Sequence, residues 1–283
     1  MDSSTSGKGG GTRAPKLSHA LVEFFRARIA SGELKPGDTL PPEAELLQQL
    51  RVSRPTLRQA LRVLESESLI RLGKGARTGA TVMHPSIETA AQYGALYLAT
   101  HGATLGEIHQ VRALLEPPLA ALIARQANTD AVKSLQDCVR TQQEALQRGD
   151  YIAAATAVND FHGRLERFSQ NRALGLVAGM LNDIAVNVYP QIPIATRNAK
   201  ERNLIWRRSE KSTEAHAHLV KLIAAGKADA AEKFWREYML DTADFIQKSG
   251  LATLRVLARE SHLSAENATQ AARNLRALQL RGP

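Results

Sequence analysis

The chain has 283 residues, 43% of them hydrophobic, a formal net charge of +9 and one cysteine. That suffices for a small domain plus a larger one with its own core, and the charge favours an anionic partner without choosing between nucleic acid and a membrane surface. The lone Cys138 excludes an internal disulfide framework, fits a reducing cytoplasm, and is expected to be a small buried hydrophobe.

Residues 1–14 carry no apolar stretch of the signal-peptide kind and are expected to form a disordered arm. No apolar run in the chain approaches the roughly 18 residues of a membrane helix. Leu17 to Ala30 is amphipathic through Leu21, Phe25 and Ile29 and stops at Ser31-Gly32. GELKPGDTLPPEAEL then turns the chain twice before a short helix from about Glu43 to Leu50, and Arg51-Val52 makes a tight corner. In the next helix, which runs to about Ser66, the helical period stacks Leu57, Leu61 and Leu64 on one side. Gln59 and Arg62 lie opposite, Thr56 and Arg58 flank them, and Arg54 opens the helix. Ser53 supplies an N-cap oxygen, and Pro55 is tolerated where its missing N–H has no intrahelical partner. Between Arg51 and Arg77 there are seven basic residues against two acids, so the positive field is concentrated here. Short apolar runs at Leu69–Leu72 and Ala80–Met83 flank GKGARTG, which reads as a β-hairpin with a glycine-rich basic tip.

Three helices and a basic hairpin make a winged helix-turn-helix, with the third helix in the major groove. The sequence resembles the GntR family of bacterial transcription regulators from Leu17 to Val82, through GELKPGDTLP, EAEL, VSRPTLRQAL and the wing. The resemblance implies DNA contacts at Ser53, Arg54, Thr56, Arg58 and Gln59 and at Lys74, Arg77 and Gly79 of the wing. Ala44 stands where the family usually has a DNA-contacting arginine, which shifts base recognition toward Arg54, Thr56 and Arg58.

His84-Pro85-Ser86 closes this domain, placed at residues 15–84. From Ile87 to Lys248 almost every segment has helical periodicity, giving a mainly α protein whose second domain, residues 85–248, is an all-α bundle for dimerisation and effector binding. The helices are expected at Ile87–Thr100, Leu105–Gln126, Asp130–Arg148, Tyr151–Ser169, Arg172–Tyr189, Ser212–Ala225 and Ala228–Gln247, with Trp206, Arg207 and Arg208 in a connecting loop. Glu107, Arg112, Glu116, Pro117, Phe161-His162, Asn171 and His216 make this part similar to the effector domain of the FadR branch of the family.

In many relatives four bundle side chains hold a divalent metal, and the resemblance puts those positions at Val158, His162, His216 and Tyr238. Valine has no lone pair and a phenol titrating near about 10 is a poor ligand at neutral pH, which leaves His162 and His216 as the only conventional donors. Asn159 and Asp160 are rotated by about 100° or 200° from the required face. The alternative is a metal-free pocket in which Arg112, His162, His216 and Tyr238 bind an organic acid directly. Arg112 either pairs with Glu116, four residues on, or waits for a carboxylate. His109 has no partner at metal spacing.

Residues 249–283 are expected to add a helical extension. Leu257–Leu280 repeats the Q-A-x-R-x-L register of Leu46–Leu69, as either a partial second helix-turn-helix or two ordinary amphipathic helices. The whole reads as a dimeric cytoplasmic repressor that grips a pseudo-palindromic duplex and is released by a small carboxylate, with no membrane partner and no resident cofactor. Its rivals are a metal-dependent hydrolase built on the His cluster, for which no nucleophile-base-orienter pattern exists, and an architectural DNA binder whose bundle lacks a cavity.

Overall fold

A computed structural model describes residues 13–73, 79–126, 128–189 and 199–257. The chain divides into two compact units, residues 1–90 and 91–283.

In the first unit, helices α1 (Arg13–Ala30), α2 (Glu43–Leu50) and α3 (Arg54–Ser66) precede strands β1 (Ile70–Leu72) and β2 (Ala80–Val82). The strands pair antiparallel, with Ile70 opposite Val82 and Leu72 opposite Ala80. Phe25, Leu46, Leu57, Leu64, Ile70 and Val82 are buried together, so one core joins every element. Arg51 takes a left-handed conformation at φ 51° to make the corner between α2 and α3. The segment expected only to turn between α1 and α2 does more. Leu40 N–H donates to Ala80 O at 2.7 Å and Val82 N–H to Asp38 O at 2.8 Å, so Thr39 adds a bridge to the outer edge of β2. A Cβ at Gly79 would lie 1.8 Å from the Leu40 carbonyl oxygen, which is why glycine is required where the wing closes on this segment.

The second unit is helical: α4 (Ile87–Thr100), which begins at the end of the first unit, α5 (Leu105–Gln126), α6 (Thr129–Gln147), α7 (Tyr151–Phe168), α8 (Arg172–Val188), α9 (Ala199–Ala224) and α10 (Ala228–Lys248). α5 is the central helix, packed on α7, α8, α9 and most extensively on α10. Asn128, Asp150 and Asn171 cap α6, α7 and α8 by accepting from free first-turn amides, which fixes where those helices start. Helix α9 begins thirteen residues before the expected Ser212, at Ala199, and carries Trp206, Arg207 and Arg208 on a helix instead of a loop.

The start of the C-terminal extension also differs from expectation. Gly250 at φ 75° ends α10, a single 3₁₀ turn follows at Leu251–Thr253, and the chain returns to the start of α5. There Leu105 N–H donates to Leu254 O at 2.8 Å and Val256 N–H to Ala103 O at 2.9 Å. The remainder of the proposed second helix-turn-helix, and residues 1–12 of the proposed arm, lie outside the described residues.

Candidate functional site

Two sites follow, one on each unit. On the first, α3 presents Arg54, Arg58, Gln59 and Arg62 to solvent while Ala60, Leu57 and Leu64 are buried. Ser53 caps α3, with its Oγ accepting from Thr56 N–H at 3.4 Å and lying 2.7 Å from Thr56 Oγ1. Thr56 is therefore buried, and its hydroxyl serves the cap. Arg58 Nε donates to both carboxylate oxygens of Glu43, at 2.9 and 3.2 Å, and Arg54 Nε lies 3.7 Å from the same group. Lys74 and Arg77 of the wing tip lie outside the described residues. Gly79 is placed by close packing on Leu40, a role in shaping the wing.

On the second unit, charge is buried. Arg112 Nε donates to Glu116 Oε1 at 2.8 Å, with both side chains almost fully excluded from water. The other Glu116 oxygen is 2.6 Å from His162 Nδ1 and accepts from Trp235 Nε1 at 3.3 Å. Burial by itself would raise the Glu116 carboxyl, yet Arg112 and His162 outweigh it and hold it at about 2. Burial also pushes His162 below the ordinary imidazole range, so it is neutral. A neutral imidazole facing a carboxylate must donate from Nδ1, which leaves the lone pair on Nε2. His216 is likewise driven well down by burial; its Nδ1 is 2.9 Å from Gln142 Oε1, and Gln142 donates onward to Ala157 O.

Arg112 and His162 open onto a cavity of about 170 Å³. Its apolar wall includes Val158, Met239, Phe245 and Ile246, and its polar groups include Asn159, Ser212, Tyr238 and Thr242. Arg112 Nη2 is buried and has no hydrogen-bond partner. His109 and Tyr189 join the lining, with His109 Nε2 2.9 Å from the Tyr189 hydroxyl and His109 Nδ1 unpartnered. Burial, then the Arg112 charge, pushes His109 down to about 3. Arg208 forms the remaining cationic wall. It pairs with Asp241 and Thr242 and lies 5.3 Å from the ring centres of Tyr238 and Phe245.

Of the four residues expected to bind ligand, Arg112, His162 and Tyr238 line the cavity. His216 stands behind them, stacked on Phe161 at 4.0 Å and edge-on to Tyr238 at 5.7 Å, with its Nε2 buried and unpartnered. Sequence reasoning missed Arg208, His109 and Tyr189, and it turned Asn159 away from a wall that Asn159 shares with Val158. The donor set does not suit a metal centre of the family kind. Val158 offers no lone pair, Tyr238 offers a phenol instead of an imidazole, and among the described residues no group of three His, Cys, Asp or Glu is placed to hold an ion.

Comparison with known proteins finds a match in each of the two units. The profile "Bacterial regulatory proteins, gntR family" matches residues 17–79, and the FCD domain matches residues 107–241. The chain belongs to the GntR family. It is a DNA-binding, ligand-responsive transcription regulator and not an enzyme. Family relatives include an uncharacterised HTH-type transcriptional regulator of Mycobacterium tuberculosis, 34% identical over 57% of this chain and 65% of that protein's length. The HTH-type transcriptional repressor NanR of Citrobacter rodentium is 26% identical over 77% of this chain and 80% of its own. The regulator LutR of Bacillus subtilis is 25% identical over 77% and 95%. A solved GntR structure from Streptococcus agalactiae shares the fold, with a TM-score of 0.57, 21% identity and coverage of 82% of this chain and 99% of that one.

Proposed function

We propose that this regulator is a cytoplasmic homodimeric repressor whose bundle releases DNA on binding a small hydroxyl-bearing carboxylate without a metal. The observation that carries the effector reading is Arg112, a lining residue of the cavity whose Nη2 is buried and unpartnered. A guanidinium nitrogen left without a partner there is costly, and a ligand carboxylate removes that cost. Arg208 supplies a second cation on the wall. His162 Nε2, an acceptor, suits a ligand hydroxyl. Roughly 170 Å³ is well below the 300 Å³ or so of drug-sized pockets, which favours a compact metabolite. His216 supports the wall from behind by its stack on Phe161.

On the DNA side, Arg54, Arg58 and Gln59 read base edges from the major groove, while Ser53 and Thr56 set the start of the helix. Lys74 and Arg77 reach phosphate or the adjacent minor groove around Gly79. A twofold dimer would place two such helices in successive major grooves of a pseudo-palindrome. The name of the NanR relative, a repressor, supports the sign of regulation.

The test is a thermal-shift series with small carboxylic acids, their hydroxy derivatives and the matching neutral amides. Hydroxy acids are expected to raise the melting temperature most and amides not at all, with Arg208→Gln reducing the shift. Equal shifts from amides and acids would contradict the reading.

A further inference from the structure

Glu43 is an unexpected residue to find beside DNA-reading arginines. It opens α2, is about a quarter exposed, and faces α3 at a point where a polyanion is to dock. Exposed ion pairs contribute little to stability, so the Arg58 pair, with its arginine 58% exposed, has small worth to the free fold. Its geometry is specific. Both Glu43 oxygens take the Nε–H of Arg58, and no protein group among the described residues accepts from either terminal nitrogen. Those two nitrogens form the fork that recognises O6 and N7 of guanine. A guanidinium anchored by Nε keeps its plane fixed and its fork outward, so less rotamer freedom remains to be lost on binding the correct base. Arg54, 3.7 Å from the same carboxylate, is held more loosely.

We infer that Glu43 is a specificity-determining positioning residue, a buttress that orients Arg58 for one guanine per half-site. The inference rests on Arg58 reading a base. Its negative charge opposes the DNA backbone, so it weakens binding to every sequence while sharpening the choice among them. The expected signature of removing it is a loss of discrimination without a loss of non-specific affinity.

The experiment uses the full-length protein and duplexes selected by it from a random library, then scored at every position for the wild type, Glu43→Gln, Glu43→Ala, Arg58→Ala and the Glu43→Ala/Arg58→Ala double variant. Either Glu43 variant should cut the preference at one guanine by about tenfold, leave other positions unchanged, and hold or raise affinity for random duplex. The preference lost should be the one that Arg58→Ala loses, and Glu43→Ala should add nothing in the Arg58→Ala background. Arg58→Ala relaxing one position while Glu43 variants leave it intact would overturn the buttress alone. Uniform weakening by Arg58→Ala would overturn both base readout and buttress. A lowered melting temperature with unchanged base preferences in the Glu43 variants would reduce the residue to the start of α2, and Glu43→Gln separates charge from that local role.

Discussion

The two units each hold an arginine against a glutamate, and the pairs do opposite work. Arg58 and Glu43 meet at the surface, 58% and 26% exposed, where water screens them and the pair matters through what the arginine can still bind. Arg112 and Glu116 meet at 2% and 0% exposure, where neither charge survives without the other and His162 and Trp235 complete the shell. The first arrangement suits a surface that is dressed and undressed by DNA. The second suits a rigid socket in which an Arg112 donor is left unfilled.

Breaking each pair should therefore give contrasting readouts. The largest effect is expected from Glu116→Ala, which strands the buried Arg112 charge and should lower unfolding stability by about 3 to 5 kcal/mol in denaturant titrations. Arg58→Ala should leave stability within about 1 kcal/mol while costing specific DNA binding. Comparable destabilisation by both would erase the distinction between the units.

A smaller effect sharpens the buried side. The Glu166 carboxyl, with Oε1 unpartnered, is pushed up to about 8 by burial and then by the nearby Glu116 charge. Its folded value is above its ordinary 4.5, so the folded state binds more protons than the unfolded one between those values. Stability from this group is thus full below about 4.5 and declines as pH rises to about 8. Glu166→Gln should remove that decline and stabilise the protein at pH 8 by about 1 to 3 kcal/mol, with little gain near pH 4. His109, His162 and His216 act in the other direction, because buried neutral imidazoles are protonated only on unfolding as pH falls below about 6.5. A melting temperature independent of pH across both windows would contradict the buried-charge account.

On the exposed side, replacing Lys74 and Arg77 with alanine should flatten the logarithmic salt dependence of DNA binding by about one unit per removed charge. An unchanged slope would remove the wing from the contact surface.

The DNA-reading unit was readable from local sequence because its determinants are local. The apolar period of Leu57, Leu61 and Leu64 and the Ser53 cap define α3 without reference to anything distant. The Glu43 contact was not readable, since it joins residues on separate helices. In the bundle, Arg112 and Glu116 were legible as a pair four residues apart on one helix face. Arg208 was not, because AKERNLIWRRSEK looks like a charged connector until Asp241 and Thr242 on α10 receive its guanidinium. His109 and Tyr189 meet across eighty residues of chain, and no spacing rule brings them together.

The most direct measurement is the release of the selected operator duplex, followed by gel mobility, as a small hydroxy acid is titrated with and without excess chelator. A metal-free socket predicts release at the same acid concentration in both. Release that is lost in chelator and restored by zinc or manganese would contradict it.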